Sequence, residues 1–178
     1  AVRLDILDTV ACTIAGRKAL GVPEAAGVLM TQGGAGQAGV WGSSKKVPAQ
    51  SAAFINAMAG HALDYDDKHP AITHTGVTVI PPAFAAAQAA GILDFNDVLL
   101  ATVLGIEVAD RMAHAVQDGP GVTGWLLTPL VGYFGAATAA AKLYGLDIAG
   151  IRNALGLAYV QASGNGQSTL DGALGKRM

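Results

Sequence analysis

The sequence predicts an all-α protein, and three observations carry that prediction. Apolar residues recur at three- and four-residue intervals in one stretch after another, and no strand-like alternation exceeds about four or five residues. Alanine, the best helix former, is abundant throughout. Helix punctuation in the form of Gly, Pro and capping Asp falls at the ends of these stretches. Hydrophobic residues make up 52% of the chain but aromatic ones only 6%, so the core is built from small side chains. Helices of that composition pack closely, with Gly at ends, turns and contact points.

Taken in order, Val2, Leu4, Ile6, Leu7, Val10, Ala11, Ile14 and Ala15 share helical spacing, and Gly21 with Pro23 supplies a stop. A short second helix is expected over 23–30. TQGGAGQAG then reads as a loop, and VWGSSKKVP as holding a short extended piece around Trp41. Pro48 suits a first helical turn, opening a helix through 50–63. The pair Pro81-Pro82 is expected to open another, ending at Ala90 and closed by Gly91. Asp94 is positioned to cap a long helix over 95–116 whose apolar face is Val98, Leu99, Val103, Ile106 and Met112. QDGPGVTG reads as loop. A further helix starts at about Thr128 or Pro129 and reaches Tyr144, with Gly145 just past its end. Asp147 can cap the last helix, which reaches Gln161 or Ser163, and the Gly-rich tail SGNGQSTLDGALGKRM reads as loop. The chain opens within a helix and stops just after a loop, so it reads as a piece of a longer protein.

Composition excludes several functions. A net charge of -2 and a pI near 6.0 give no basic footprint for nucleic acid. The one cysteine, Cys12, permits no internal disulfide and no zinc constellation. Lying in an apolar helical stretch, it is expected to be a buried, inert thiol, which fits a reducing cytoplasm. Two stretches without formal charge, 75–93 and 119–141, are broken by Pro, Gly and polar residues and read as core helices rather than membrane spans. GGAGQAG lacks the strand and helix context of a nucleotide-binding loop.

One segment stands apart. Charged residues are only 13% of the chain, yet HALDYDDKHPAITHTG packs three Asp, one Lys and three His into residues 61–76. Were the preceding helix to continue to about 67, His61, Asp64, Asp67 and Lys68 would share a face and Asp66 would point elsewhere. Pro70 disfavours a helical His69, so His74 falls on a following loop. Three readings of these residues stand. A histidine can move protons at neutral pH beside an orienting aspartate and a carboxylate-binding lysine. The aspartates can instead cap helices and pair with Lys68 in water, where such pairs contribute little. Or Asp64, Asp66, Asp67 and His69 could offer ligands to a divalent ion, but no second acidic helix is evident to complete that site.

LDTVA, VWGSSKKV, HALDYDD with its following HTG, VLGIEVADR, GYFGAATAAAKLYGLD and DGALGKRM occur in order along nearly the whole chain. Together they make it similar to the N-terminal part of the MmgE/PrpD family. The resemblance implies a cofactor-independent lyase, dehydratase-like, working by acid–base chemistry alpha to a carboxylate on a small di- or tricarboxylic acid such as 2-methylcitrate. Decarboxylation or epimerisation within the same family, or a noncatalytic helical scaffold, are the alternatives. It further implies Asp64, His74 and Lys176 as catalytic residues; Lys68, His69 and Asp67 of the charged segment are expected on the substrate. It implies a homodimer and no iron–sulfur cluster; from the composition above, no metal, nucleic acid or membrane partner is expected, and a cytoplasmic location is. Residues 1–178 would form the first part of a large helical domain, its C-terminal segment and an intervening α+β domain lying beyond. Two positions depart from the better-known members: Lys68 stands where they have Thr, and Leu126 where many have His. Both bear on the substrate more than on the reaction type.

Overall fold

A computed structural model describes residues 1–70, 73–117 and 124–177. Eight α-helices are found among them: α1 (Val2–Gly16), α2 (Val22–Thr31), α3 (Ala49–His61), α4 (Thr75–Ala90), α5 (Phe95–Gln117), α6 (Leu127–Leu143), α7 (Ile148–Gln161) and α8 (Gln167–Leu170). A two-residue hairpin, β1 (Ala38–Gly39) with β2 (Lys46–Val47), precedes α3, and a 3-10 turn, Leu174–Arg177, follows α8. The all-α expectation holds. Among the described residues no helix is long and apolar enough to cross a membrane.

Helix α4 is the hub, packed against α3 on one side and α5 and α6 on the other, with α1 resting on α3 and α7 on α6. Its Val79, Ile80 and Ala83 are fully buried. Around Val79 and Ala83 gather Ala86, Ala87, Val98, Ala101, Ala139 and Leu143, a core of small residues as the composition predicts. Close approach is what those residues permit. A β-carbon on Gly105 of α5 would stand 2.7 Å from the carbonyl oxygen of Gly135 on α6, and one on Gly135 would stand 2.9 Å from that of Gly105. Hence the buried face of α5 is Val98, Ala101, Thr102, Gly105, Ala109 and Ala113, while Val103, expected inside, is 45% exposed. Contact distance selects the small side chains.

Two further expectations are corrected. Helix α4 begins at Thr75, so Pro81 and Pro82 lie inside it rather than at its start. Each removes one helical hydrogen bond, but Val79, Ile80, Pro81 and Ala83 are buried on all sides, and that packing outweighs local preference. The tail is not loop throughout, since α8 and the 3-10 turn form within it. Other signals hold. Asp94 Oδ1 accepts from Asn96 N at 2.8 Å, Asp147 Oδ1 accepts from Gly150 N at 2.7 Å, and Gly145 takes φ 67° beyond α6. Most of the loop expected over QDGPGVTG lies outside the described residues.

The hairpin is fastened by buried Asn56 of α3, whose Oδ1 accepts from Trp41 N at 2.9 Å and whose Nδ2 donates to Gly39 O at 3.0 Å. Gln88 of α4 accepts from Gly39 N at 2.7 Å, and Trp41 meets Phe84 edge to face. Cys12 is buried, as expected, and burial, followed by the nearby Asp8, pushes its thiol up to about 11. It is an unreactive thiol at neutral pH.

Candidate active site

The described residues between α3 and α4, 62–70 and 73–74, are not helical. Helix α3 ends at His61, and Asp64 takes a left-handed backbone, φ 58°, uncommon outside glycine and often found where side chains are held for function. The helical face anticipated for His61, Asp64, Asp67 and Lys68 therefore does not form. The chain instead folds back through the bridge from His69 N to Thr73 O, 2.8 Å, and His74 enters α4 with its backbone N–H donated to Thr128 Oγ1 of α6 at 3.0 Å.

This turn brings Asp66, expected to point elsewhere, to the centre of the cluster. Its side chain is fully buried between two histidines. His61 Nδ1 lies 3.0 Å from Asp66 Oδ1, and His74 Nδ1 lies 3.2 Å from Asp66 Oδ2, the second contact closer to an ion pair than to an aligned hydrogen bond. The two rings meet edge to face with centroids 4.7 Å apart. Both Nε2 atoms turn toward one oxygen of Asp64, at 3.9 Å from His61 and 4.0 Å from His74. Lys176 Nζ sits on that same oxygen at 2.5 Å.

Lys176 arrives from 112 residues away through an identifiable path. Leu126 N donates to Gly164 O at 2.9 Å and Gly166 N to Gly124 O at 2.6 Å, so the strand-like piece after α7 is tied to the start of α6. Helix α8 and the 3-10 turn then carry the lysine back over the α3–α4 connection. Read as sequence alone, Lys176 is an ordinary tail lysine.

Charge follows geometry. Burial alone would raise Asp66, but hydrogen bonds and positive charge from His61 and His74 overcome it and hold the carboxyl at about 2. His74 is raised, chiefly by its contact with Asp66 and against the effect of its burial. For Asp64 burial acts upward, yet the Lys176 contact and the nearby histidines prevail and lower it. Asp67 behaves oppositely: burial, only partly offset by the N–H of Gly76, pushes it up to about 6. Its two oxygens both accept from Gly76 N at 3.1 Å, in the first turn of α4.

Asp64, His74 and Lys176 thus come together on the wall of one open cleft of about 1430 Å³, which His61, Asp66, Lys68 and Leu126 also line. Asp67 and His69 are not among the lining residues. Asp67 braces α4 instead, and His69 Nε2 lies 3.5 Å from Asp110 Oδ2 of α5, its ring edge to face with His114. What the sequence reading missed are Asp66 and His61. Their signal, two histidines and an aspartate within one short segment, was visible, but an assumed helix misdirected it.

His61, Asp64, Asp66 and His74 could between them offer a metal four ligand atoms within 4.8 Å of one another. An ammonium already neutralises the carboxylate that such a cation would share, however, and Asp66 faces the Nδ1 atoms of both rings. The donor set fits proton chemistry better than a cation.

Comparison with known proteins agrees with the fold. The family model described as the MmgE/PrpD N-terminal domain matches residues 1–178, and the chain belongs to that family. It is 38% identical over 129 residues to a cis-aconitate decarboxylase of Mus musculus, covering 69% of this chain and 26% of that protein. A cis-aconitate decarboxylase of Homo sapiens is 37% identical over 129 residues, covering 69% of this chain and 27% of its own length. One of Aspergillus terreus is 30% identical over 165 residues, covering 89% of this chain and 34% of that protein. The chain therefore spans about a quarter to a third of the curated relatives it matches.

Proposed function

We propose that this chain supplies the acid–base part of a cofactor-independent lyase that acts alpha to a carboxylate on a small di- or tricarboxylic acid. The observation that carries the reading is the convergence of Asp64, His74 and Lys176 at the cleft, with the ammonium 2.5 Å and the His74 Nε2 4.0 Å from one Asp64 oxygen. Each has a task. With Nδ1 facing Asp66, His74 keeps Nε2 for a substrate proton. Lys176, together with Lys68 in the same cleft, binds carboxylate and offsets the enediolate charge that develops as a proton or CO₂ leaves. Asp64 holds Lys176 in place until substrate arrives.

Between the possible reactions, decarboxylation of an unsaturated tricarboxylate is favoured by the names of the relatives, and dehydration of 2-methylcitrate stands second. The lysine at 68 and the leucine at 126, where the resemblance puts Thr and His in better-known members, bear on which acid is bound. A homodimer is part of the proposal, supported by apolar side chains left open on α7, where Leu157, Tyr159 and Val160 are all more than 70% exposed.

The test is turnover by the full-length protein of cis-aconitate, 2-methylcitrate, citrate and iminodisuccinate, with His74→Ala and Lys176→Ala beside it. One acid should turn over, and both variants should lose about 10²-fold or more in kcat. Wild-type silence on every acid, or variants as fast as wild type, would overturn the reading.

A further inference from the structure

Asp66 is buried with its carboxylate on the Nδ1 atoms of two rings, not one. A carboxylate only accepts, so the proton of a ring that faces it belongs on Nδ1, in a hydrogen bond from His61 and a less aligned contact from His74, and a ring neutral in that tautomer presents an Nε2 lone pair. The two Nε2 atoms lie 3.9 and 4.0 Å from the same Asp64 oxygen, where Lys176 also converges, and both rings line the cleft. His61 comes from the last turn of α3 and His74 from the start of α4. Two helices packed side by side thus deliver equivalent imidazoles to one point, held in the same sense by one carboxylate.

We propose that His61 is a second acid–base group of this site, aimed at the cleft by Asp66, which acts as a shared positioning residue for His61 and His74. The proposal rests on the lyase reading above and assigns it a second proton carrier. A dehydration needs two proton positions, and a decarboxylation one proton donor. In a dehydration the C–H pair becomes the new C=C bond and its proton passes to one Nε2. The C–O bond then breaks with its pair on oxygen, which takes a proton from the other, protonated ring and leaves as water. The pair of rings ends with its one extra proton exchanged between them. In a decarboxylation the C–C pair stays on carbon as CO₂ leaves, and a protonated ring supplies that carbon with its proton, recovered afterwards from solvent. In the dehydration one histidine alone must do both tasks in sequence.

The bland alternative is that His61 is only a structural donor to Asp66. His61→Asn separates the two, because the asparagine amide keeps an N–H near the position of Nδ1 while removing Nε2. In the full-length protein, with whichever of cis-aconitate, 2-methylcitrate, citrate or iminodisuccinate it turns over, His61→Asn should keep the wild-type melting temperature and lose about 10²-fold in kcat. ¹⁵N NMR of the histidine rings, at a pH where they are neutral, needs no substrate and should find both protons on Nδ1. Asp66→Asn, whose amide can donate, should let them move to Nε2. A His61→Asn variant within about threefold of wild type, or a His61 proton already on Nε2 in wild type, overturns the role of His61 and leaves the lyase reading standing. A wild type inert on every acid overturns both.

Discussion

Replacing Gly105 with Ala tests how the helices are allowed to meet. A β-carbon there would lie 2.6 Å from Val79 Cγ1, 2.7 Å from the carbonyl oxygen of Gly135 and 3.2 Å from Ala139 Cβ. Two of those atoms belong to the rigid facing helix and the third to the fully buried Val79, so none can give way cheaply. Overpacking of that kind costs about 1–3 kcal/mol. Ala is better than Gly inside a helix by about 1 kcal/mol, so the net loss should be up to about 2 kcal/mol. For a chain of this size that is a fall in Tm of up to about 8 °C. Gly156, inside α7, is the control, since a β-carbon there meets nothing within 4 Å. Gly156→Ala should stabilise by up to about 1 kcal/mol. Thermal and urea unfolding of both variants decides it. A Gly105→Ala protein stabilised as much as Gly156→Ala would refute the close crossing of α5 and α6.

Further outcomes follow from the charge cluster. Lys176→Met removes the ammonium from Asp64, so the Asp64 carboxyl, held low chiefly by that contact against its burial, should titrate nearer its ordinary value in ¹³C NMR of labelled protein. Asp66 is held at about 2 against an ordinary 3.8, so its contribution to stability is present above about pH 4. It should be lost as pH falls toward 2, and Asp66→Asn should flatten that part of the stability profile. Asp67 has the opposite sign. Its folded carboxyl is raised from 3.8 to about 6, so the folded state loses stability as pH climbs through that window. Asp67→Asn keeps an acceptor for Gly76 N–H and should raise Tm at pH 7, with roughly 3 kcal/mol as the ceiling at about 1.4 kcal/mol per unit. A lower Tm at that pH would contradict the burial of a charged Asp67.

Much of the fold was legible because it depends on local signals. The helices, the caps at Asp94 and Asp147 and the glycine past α6 rest on residues that act within one turn. What escaped depended on tertiary contacts. Pro81 and Pro82 read as a helix start, but the packing of Val79, Ile80 and Ala83 extends α4 back to Thr75. Large side chains such as Val103 were expected in the core, where the approach of α5 to α6 admits glycine and alanine instead. In the site, family resemblance picked out Asp64, His74 and Lys176, which the fold brings together. Asp66 was misplaced because helical periodicity was carried three or more residues past the true end of α3, and a change of backbone state redirects every side chain beyond it. No local pattern could carry Lys176 to Asp64, since that contact depends on the pairing of 124–126 with 164–166.

The measurement that tests the central claim most directly is solvent-proton incorporation, followed by NMR in D₂O, by the full-length protein acting on the acid it turns over. The account predicts deuterium at the carbon alpha to the carboxylate, or at the carbon that loses CO₂, in wild type, and its disappearance in His74→Ala and Lys176→Ala. Deuterium appearing at the same rate in either variant would contradict a proton path through His74 and Lys176.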